Sequence, residues 1–195
     1  MPSRATAPHR TDHRHRLRAV AAGGALLVVL VAAGCGKSAE EQARESLQIA
    51  LSAHAAGNIE AAREAYQETL NNDPTNAFAL YNLGLLAEED GDPLLAEGYY
   101  RQAVTSDPEF TSALYNLAIL RENAGDLEEA SGFYESVTQL KPEYAPAHLN
   151  LGFALRGLGQ TDAGNEELKT AIGLDPNLAD RLPPNVLNEL AAENA

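Results

Sequence analysis

Tryptophan is missing from the 195 residues, cysteine and methionine occur once each, and basic residues number 14 against 28 acids. A lone cysteine excludes any disulfide within the chain, so the fold must be stable without staples. The shortage of lysine and arginine excludes the electrostatic footprint of a nucleic-acid binder, whose affinity rests on clustered cations. Catalytic signatures are lacking too: no HExxH or GxSxG run occurs, and beyond residue 34 only two histidines, His54 and His148, remain. "GLGQTDAG" at 157–164 has Asp162 where a dinucleotide loop needs its third glycine, and it follows a helical segment rather than a strand. Nothing places a nucleophile beside a base, which predicts a chain that is not an enzyme and needs no metal or cofactor.

Long apolar runs are equally scarce, with one exception. Residues 19–34 read "AVAAGGALLVVLVAAG", preceded by Arg4, Arg10, Arg14, Arg16 and Arg18 and followed at once by Cys35. A basic start, an apolar middle and small residues at the cut are the order of a secretory signal. Its 16 apolar residues fall short of the roughly 20 that a membrane-crossing helix needs. Val31, Ala32, Ala33 and Gly34 before Cys35 resemble the lipobox of bacterial lipoproteins. That resemblance implies removal of residues 1–34 and lipidation of Cys35, holding the protein at a membrane of the cell envelope on its exported face. An uncleaved anchor, or an ordinary signal followed by a chance cysteine, is the alternative. Residues 1–34 take five arginines and one aspartate with them, leaving nine basic and 27 acidic residues. With no basic patch to help, membrane contact would fall to the lipid.

The rest of the chain is periodic. Prolines stand at 74, 108, 142 and 176 and glycines at 57, 91, 125 and 159, always 34 apart. Ala62, Ala96, Ala130 and Gly164 keep the same step, as do Tyr66, Tyr100, Tyr134 and Leu168. Each copy has the punctuation of two helices. The glycines suit a left-handed helix end, and Asn58, Asp92 and Asp126 stand where a side chain can cap the next helix. Pro93 sits at a first turn, and Asp126 with Glu129 has the spacing of a capping box. The "DP" pairs at 73, 107 and 175, and "KP" at 141, end the second helix of each copy.

This pattern resembles the tetratricopeptide repeat family, whose period is 34. The second copy carries the family's packing set at Leu80, Leu83, Gly84, Ala87, Ala96, Tyr100, Ala103 and Pro108, and the third at Leu114, Leu117, Ala118, Ala130, Tyr134 and Pro142. The first and fourth copies depart, with Ser46 and His148 where Leu80 and Leu114 stand, and with Gly164 for alanine. The resemblance implies an all-α fold, a right-handed α-solenoid of four helix-turn-helix repeats with a C-terminal capping helix. The expected organisation is a signal peptide (1–34), a lipidated cysteine and tether (35–42), repeats at 43–76, 77–110, 111–144 and 145–178, and a cap at 179–195. Within the cap, Asn185 is the expected N-cap of a helix presenting Val186, Leu187, Leu190 and Ala191 to the last pair.

Helical geometry puts the sixth residue of each copy opposite the fourth, away from the packing of its own pair. Those sixth residues are Gln48, Asn82, Asn116 and Asn150. Phe78, Leu51, Leu85, Ile119 and Phe153 share the stripe, with Tyr81 and Tyr115 at its flank. An apolar patch of this kind marks a contact surface. The family resemblance makes the stripe the inner wall, where asparagine ladders hold extended peptides, and implies that role for Asn82, Asn116 and Asn150. The plainer readings are solvated amides, amides that satisfy a neighbouring helix end, and tyrosines that belong to the core between repeats. With only Arg44 for a cation, against Glu89, the stripe does not resemble the class of the family that clamps a terminal carboxylate. The acids fall mainly on second helices, as a solvated outer face would have them. The expected function is a membrane-anchored scaffold that docks a peptide segment or helix of an envelope protein. A structural or self-associating subunit with an empty groove is the rival.

Overall fold

The computed structural model describes residues 36–192. The signal segment and Cys35 lie outside them. Eight α-helices follow in pairs: α1 (Ala39–Ala55) with α2 (Ile59–Asn72), α3 (Ala77–Glu89) with α4 (Pro93–Ser106), α5 (Thr111–Asn123) with α6 (Leu127–Leu140), and α7 (Ala145–Gly157) with α8 (Thr161–Leu174). A 3-10 helix (Pro176–Arg181) and α9 (Pro184–Ala192) complete the chain, and no strand occurs among the described residues. The pairs stack in sequence order as an α-solenoid. Residues 39–42, expected in the tether, are helical because Ser38 caps α1 by accepting from Glu41 N at 3.1 Å. No helix among the described residues is long and apolar enough to cross a membrane.

The turn inside each pair is built the same way four times. Gly57, Gly91, Gly125 and Gly159 have φ of 75°, 77°, 81° and 78°, a region that glycine enters without a Cβ penalty. The following amide then reaches back to a carbonyl five residues earlier, as Asp92 N does to Ala87 O at 2.9 Å. Asp92 and Asp126 go on to cap α4 and α6, accepting from Leu95 N (3.0 Å) and Glu129 N (3.2 Å). Asn58 does not: its side chain makes no capping bond, and only its carbonyl starts α2, by accepting from Ala62 N. Asn185 is not a cap either. Helix α9 begins one residue earlier at Pro184, whose fixed φ suits a first turn, and Pro183 O accepts from Leu187 N at 3.1 Å.

Small residues set how closely paired helices approach. In the last pair a Cβ on Gly152 would sit 2.7 Å from Leu168 Cδ2 and 2.9 Å from Gly164 O, and one on Gly164 would sit 2.7 Å from Gly152 O. The glycine at 164 is thus matched to the glycine facing it, and departs from alanine for a steric reason. Tyr66, Tyr100, Tyr134 and Leu168 fill the space beside these contacts and are fully buried. The polar departures are also satisfied. Ser46 donates to Gln42 O at 2.9 Å and accepts from Thr69 Oγ1 at 3.1 Å. His148 lies with Nδ1 2.6 Å from Glu167 Oε2 and Nε2 2.9 Å from Pro142 O.

Two features tie neighbouring units together. Arg121 of α5 reaches Glu97 of α4 (3.2 Å) and Asp126 (2.6 Å), and its Nε is 2.7 Å from Glu129 Oε2, an ion pair too bent to be a hydrogen bond. Arg101 joins the same Glu97 and Glu129 at 2.8 and 2.7 Å. At the C-terminal end Leu182, Val186 and Leu190 close over Leu149, Leu168 and Leu178. Arg156 secures that lid through Glu189 at 2.7 Å. A stack of pairs that cannot bury its last face alone needs such a cap.

Candidate peptide-docking groove

The repeated asparagines do not all point where their own helix would send them. Asn116 Nδ2 donates to Tyr100 OH at 3.2 Å, and Asn150 Nδ2 donates to both Tyr134 OH (3.3 Å) and Tyr115 OH (3.0 Å). Each partner belongs to the preceding repeat. Asn116 and Asn150 leave the packing of their own pair and enter the junction with the pair before. Asn82 differs, its amide donating to Phe78 O of its own helix at 2.8 Å. All three are half-buried, while Gln48, the corresponding residue of the first copy, is exposed.

The tyrosines pass the chain of bonds on. Tyr134 OH donates to Glu122 Oε2 at 2.7 Å, and Tyr100 OH donates to Glu88. Burial, then the facing carboxylate, pushes both phenols far above the usual tyrosine range. An amide, a phenol and a carboxylate therefore run in series across the second and third junctions. In the first pair His54 replaces the glutamate, with Nδ1 3.1 Å from Tyr66 OH. In the fourth, Leu168 stands in place of tyrosine, and Arg156, at the glutamate's position, turns to Asn165 instead.

Tyr81 and Tyr115 are half-buried and sit in aromatic clusters, Tyr81 with Phe110 at 5.1 Å and Tyr115 with Tyr144 at 5.2 Å between ring centres. Leu85, Ile119 and Phe153, expected on an exposed apolar patch, are instead half-buried and packed against the cores between successive units, Phe153 against the C-terminal lid. Of the stripe's large apolar residues only Leu51 and Phe78 are exposed, at 41% and 58%. The patch breaks up because each repeat leans on the next, a contact that the wheel of a single helix does not contain.

Among the openings between the described pairs is a polar hollow of 280 Å³, lined by Tyr81, Thr111, Ser112, Tyr115, Asn116, Lys141 and Tyr144. Tyr115 accepts from Asn150 at 3.0 Å. Burial raises both phenols, while Ser112 and then Asn116 pull Tyr81 the other way and Asn150 does so for Tyr115. Lys141 and Tyr144 were not picked out by the helical stripe, since both lie on the turn between α6 and α7. A signal for Lys141 existed: it occupies the place that Asp73, Asp107 and Asp175 hold in the other copies. No cluster of candidate metal ligands occurs among the described residues.

Tetratricopeptide repeat models match residues 47–109, 89–145 and 145–178. The chain belongs to the tetratricopeptide repeat family. Solved structures of similar fold include MamA, at 22% identity and a TM-score of 0.61, covering 71% of this chain and 81% of that one. MamA from Desulfovibrio magneticus RS-1 matches at 24% identity and 0.61, covering 70% of this chain and 77% of that one. YrrB, a TPR protein with an unusual peptide-binding site, matches at 23% and 0.59, covering 72% and 75%. No curated protein sequence matches the chain. At these identities the likeness establishes the solenoid fold.

Proposed function

We propose that this tetratricopeptide repeat protein is a scaffold, held at a membrane of the bacterial envelope by lipid on Cys35, that docks a peptide segment of another envelope protein. The observation that carries the docking is the hollow between Tyr81 and Tyr144, a polar recess where α3, α5 and the turn before α7 meet, with the exposed ring of Phe78 joined to Tyr81 through Phe110. Recesses that join aromatic surface to a few placed polar groups are the usual form of a docking site. The anchor is supported by the basic, apolar and small-residue order of positions 1–34 before Cys35.

A photo-crosslinking residue at Phe78, in living cells, tests the docking against the same residue at exposed Glu64 of α2. The expected result is a discrete adduct with another envelope protein from position 78 alone. Identical adducts from both positions, or adducts only with a second copy, would favour the structural rival. That rival draws support from the amides of Asn116 and Asn150, which already have partners inside the stack. For the anchor, Cys35→Ala is expected to move the protein from the membrane to the soluble fraction, and unchanged membrane attachment would overturn lipidation.

A further inference from the structure

The hollow is chemically unlike the rest of the molecule. The chain has twice as many acids as bases, yet none of the seven lining residues is acidic and one is a lysine. Among the described residues seven of the nine lysines and arginines form ion pairs: Lys37, Arg44, Arg63, Arg101, Arg121, Arg156 and Lys169. Lys141 and Arg181 form none. Of the two, Lys141 lines the hollow. Neither is part of the first-helix stripe read from the sequence.

The hydrogen-bond arrangement points the same way. Tyr115 accepts from Asn150 at 3.0 Å, so its oxygen is engaged as an acceptor and it retains its own proton to donate. Beside it stands the ammonium of Lys141, with three protons and no ion-pair partner among the described residues, whereas the hydroxyl of Thr111 is spent on Glu109 O at 3.2 Å. The lysine also costs its turn a local contact. In the other copies the aspartate at this place accepts from its own turn, from Thr75 N at 3.2 Å, Glu109 N at 3.0 Å and Asn177 N at 3.0 Å. Lysine has no acceptor to offer and gives that bond up.

We infer that the hollow binds a carboxylate, the side chain of an aspartate or glutamate in the docked segment, between Lys141 and the hydroxyls of Tyr81 and Tyr115. The inference rests on the docking reading and adds the chemistry of what is docked. Charge-assisted bonds from donors held in place by their own partners favour an ionised oxygen over a neutral amide.

The test uses the full-length protein in detergent with labelled tyrosine rings. Acetyl-glutamate methylamide is titrated against acetyl-glutamine methylamide and followed by nuclear magnetic resonance. The glutamate probe is expected to shift Tyr81 and Tyr115 saturably, with the glutamine probe at least about tenfold weaker. Lys141→Asp restores the residue of the other three copies, so it is expected to keep or raise stability toward urea while weakening the glutamate probe by about tenfold or more. Lys141→Met, which removes the ammonium without adding a negative charge, is the second variant and is expected to weaken the probe as well. Equal response to both probes, wild-type affinity in both variants, or binding of inorganic phosphate in place of glutamate would overturn the inference. If Phe78 captures a partner while the glutamate probe gives no shift, the carboxylate falls and the docking stands. If the probe binds but no partner is captured, docking falls and a docked protein is lost as the carboxylate's source.

Discussion

Asn150 spends both amide protons on tyrosines of the preceding repeat, whereas Asn82 spends one on its own helix. Replacing each by alanine should separate structural amides from free ones. Asn150→Ala removes two bonds to phenols at a junction and is expected to cost about 1–3 kcal/mol, while Asn82→Ala is expected to stay within about 0.5 kcal/mol. Urea denaturation of the two variants measures the difference. Glycines give a second contrast. Gly152→Ala drives a Cβ to 2.7 Å from Leu168 and should destabilise by about 1–3 kcal/mol. Gly98→Ala, inside α4 with nothing within 4 Å, should stabilise by about 0.5–1 kcal/mol. The recurrence of asparagine was legible in the sequence, and its partners were not. A helical wheel sorts residues by their own axis, whereas the tyrosine that receives the amide sits on the previous pair, 16 residues upstream.

At the scale of the helices, the junction of α4, α5 and α6 is held by the Arg101 and Arg121 network. The hydrogen bond from Arg121 holds Asp126 below the ordinary carboxylate range. Glu97 also lies below it, because the two arginines outweigh the burial that pushes it up. The unfolded chain titrates such groups near pH 4, so their contribution is complete above about pH 4 and is lost as the pH falls below it. Acid titration of the urea midpoint is expected to fall in that window, and less steeply in Arg121→Met. Helix ends were the most legible elements, since the glycine and proline spacing dictates where each stops. The start of α9 was misread because Pro184 opens it, which leaves Asn185 already inside the first turn. Lys141 lies on a turn outside the helical stripe, and its one mark in the sequence is the break from aspartate at that place of the repeat.

Across the whole molecule the two ends are unequal. The C-terminal end is sealed by Leu182, Val186 and Leu190, and Leu190→Ala should cost about 2–5 kcal/mol by thermal or urea denaturation. The N-terminal end leaves Ile49 57% exposed, and its first junction lacks the amide-to-phenol bond of the other two. In a stack held by nearest-neighbour contacts, the weaker end opens first. Hydrogen exchange is expected to be faster in α1 and α2 than in α5 to α8.

Ser38 locks the first helix one residue before Ala39, which leaves four peptide steps from Cys35 to the start of the rigid body. With acyl chains on that cysteine as proposed, the leash reaches about 14 Å at full stretch. Encounters would then take place along the lipid surface, a search in two dimensions whose pace is set by lateral diffusion in one leaflet rather than by collisions from bulk solution.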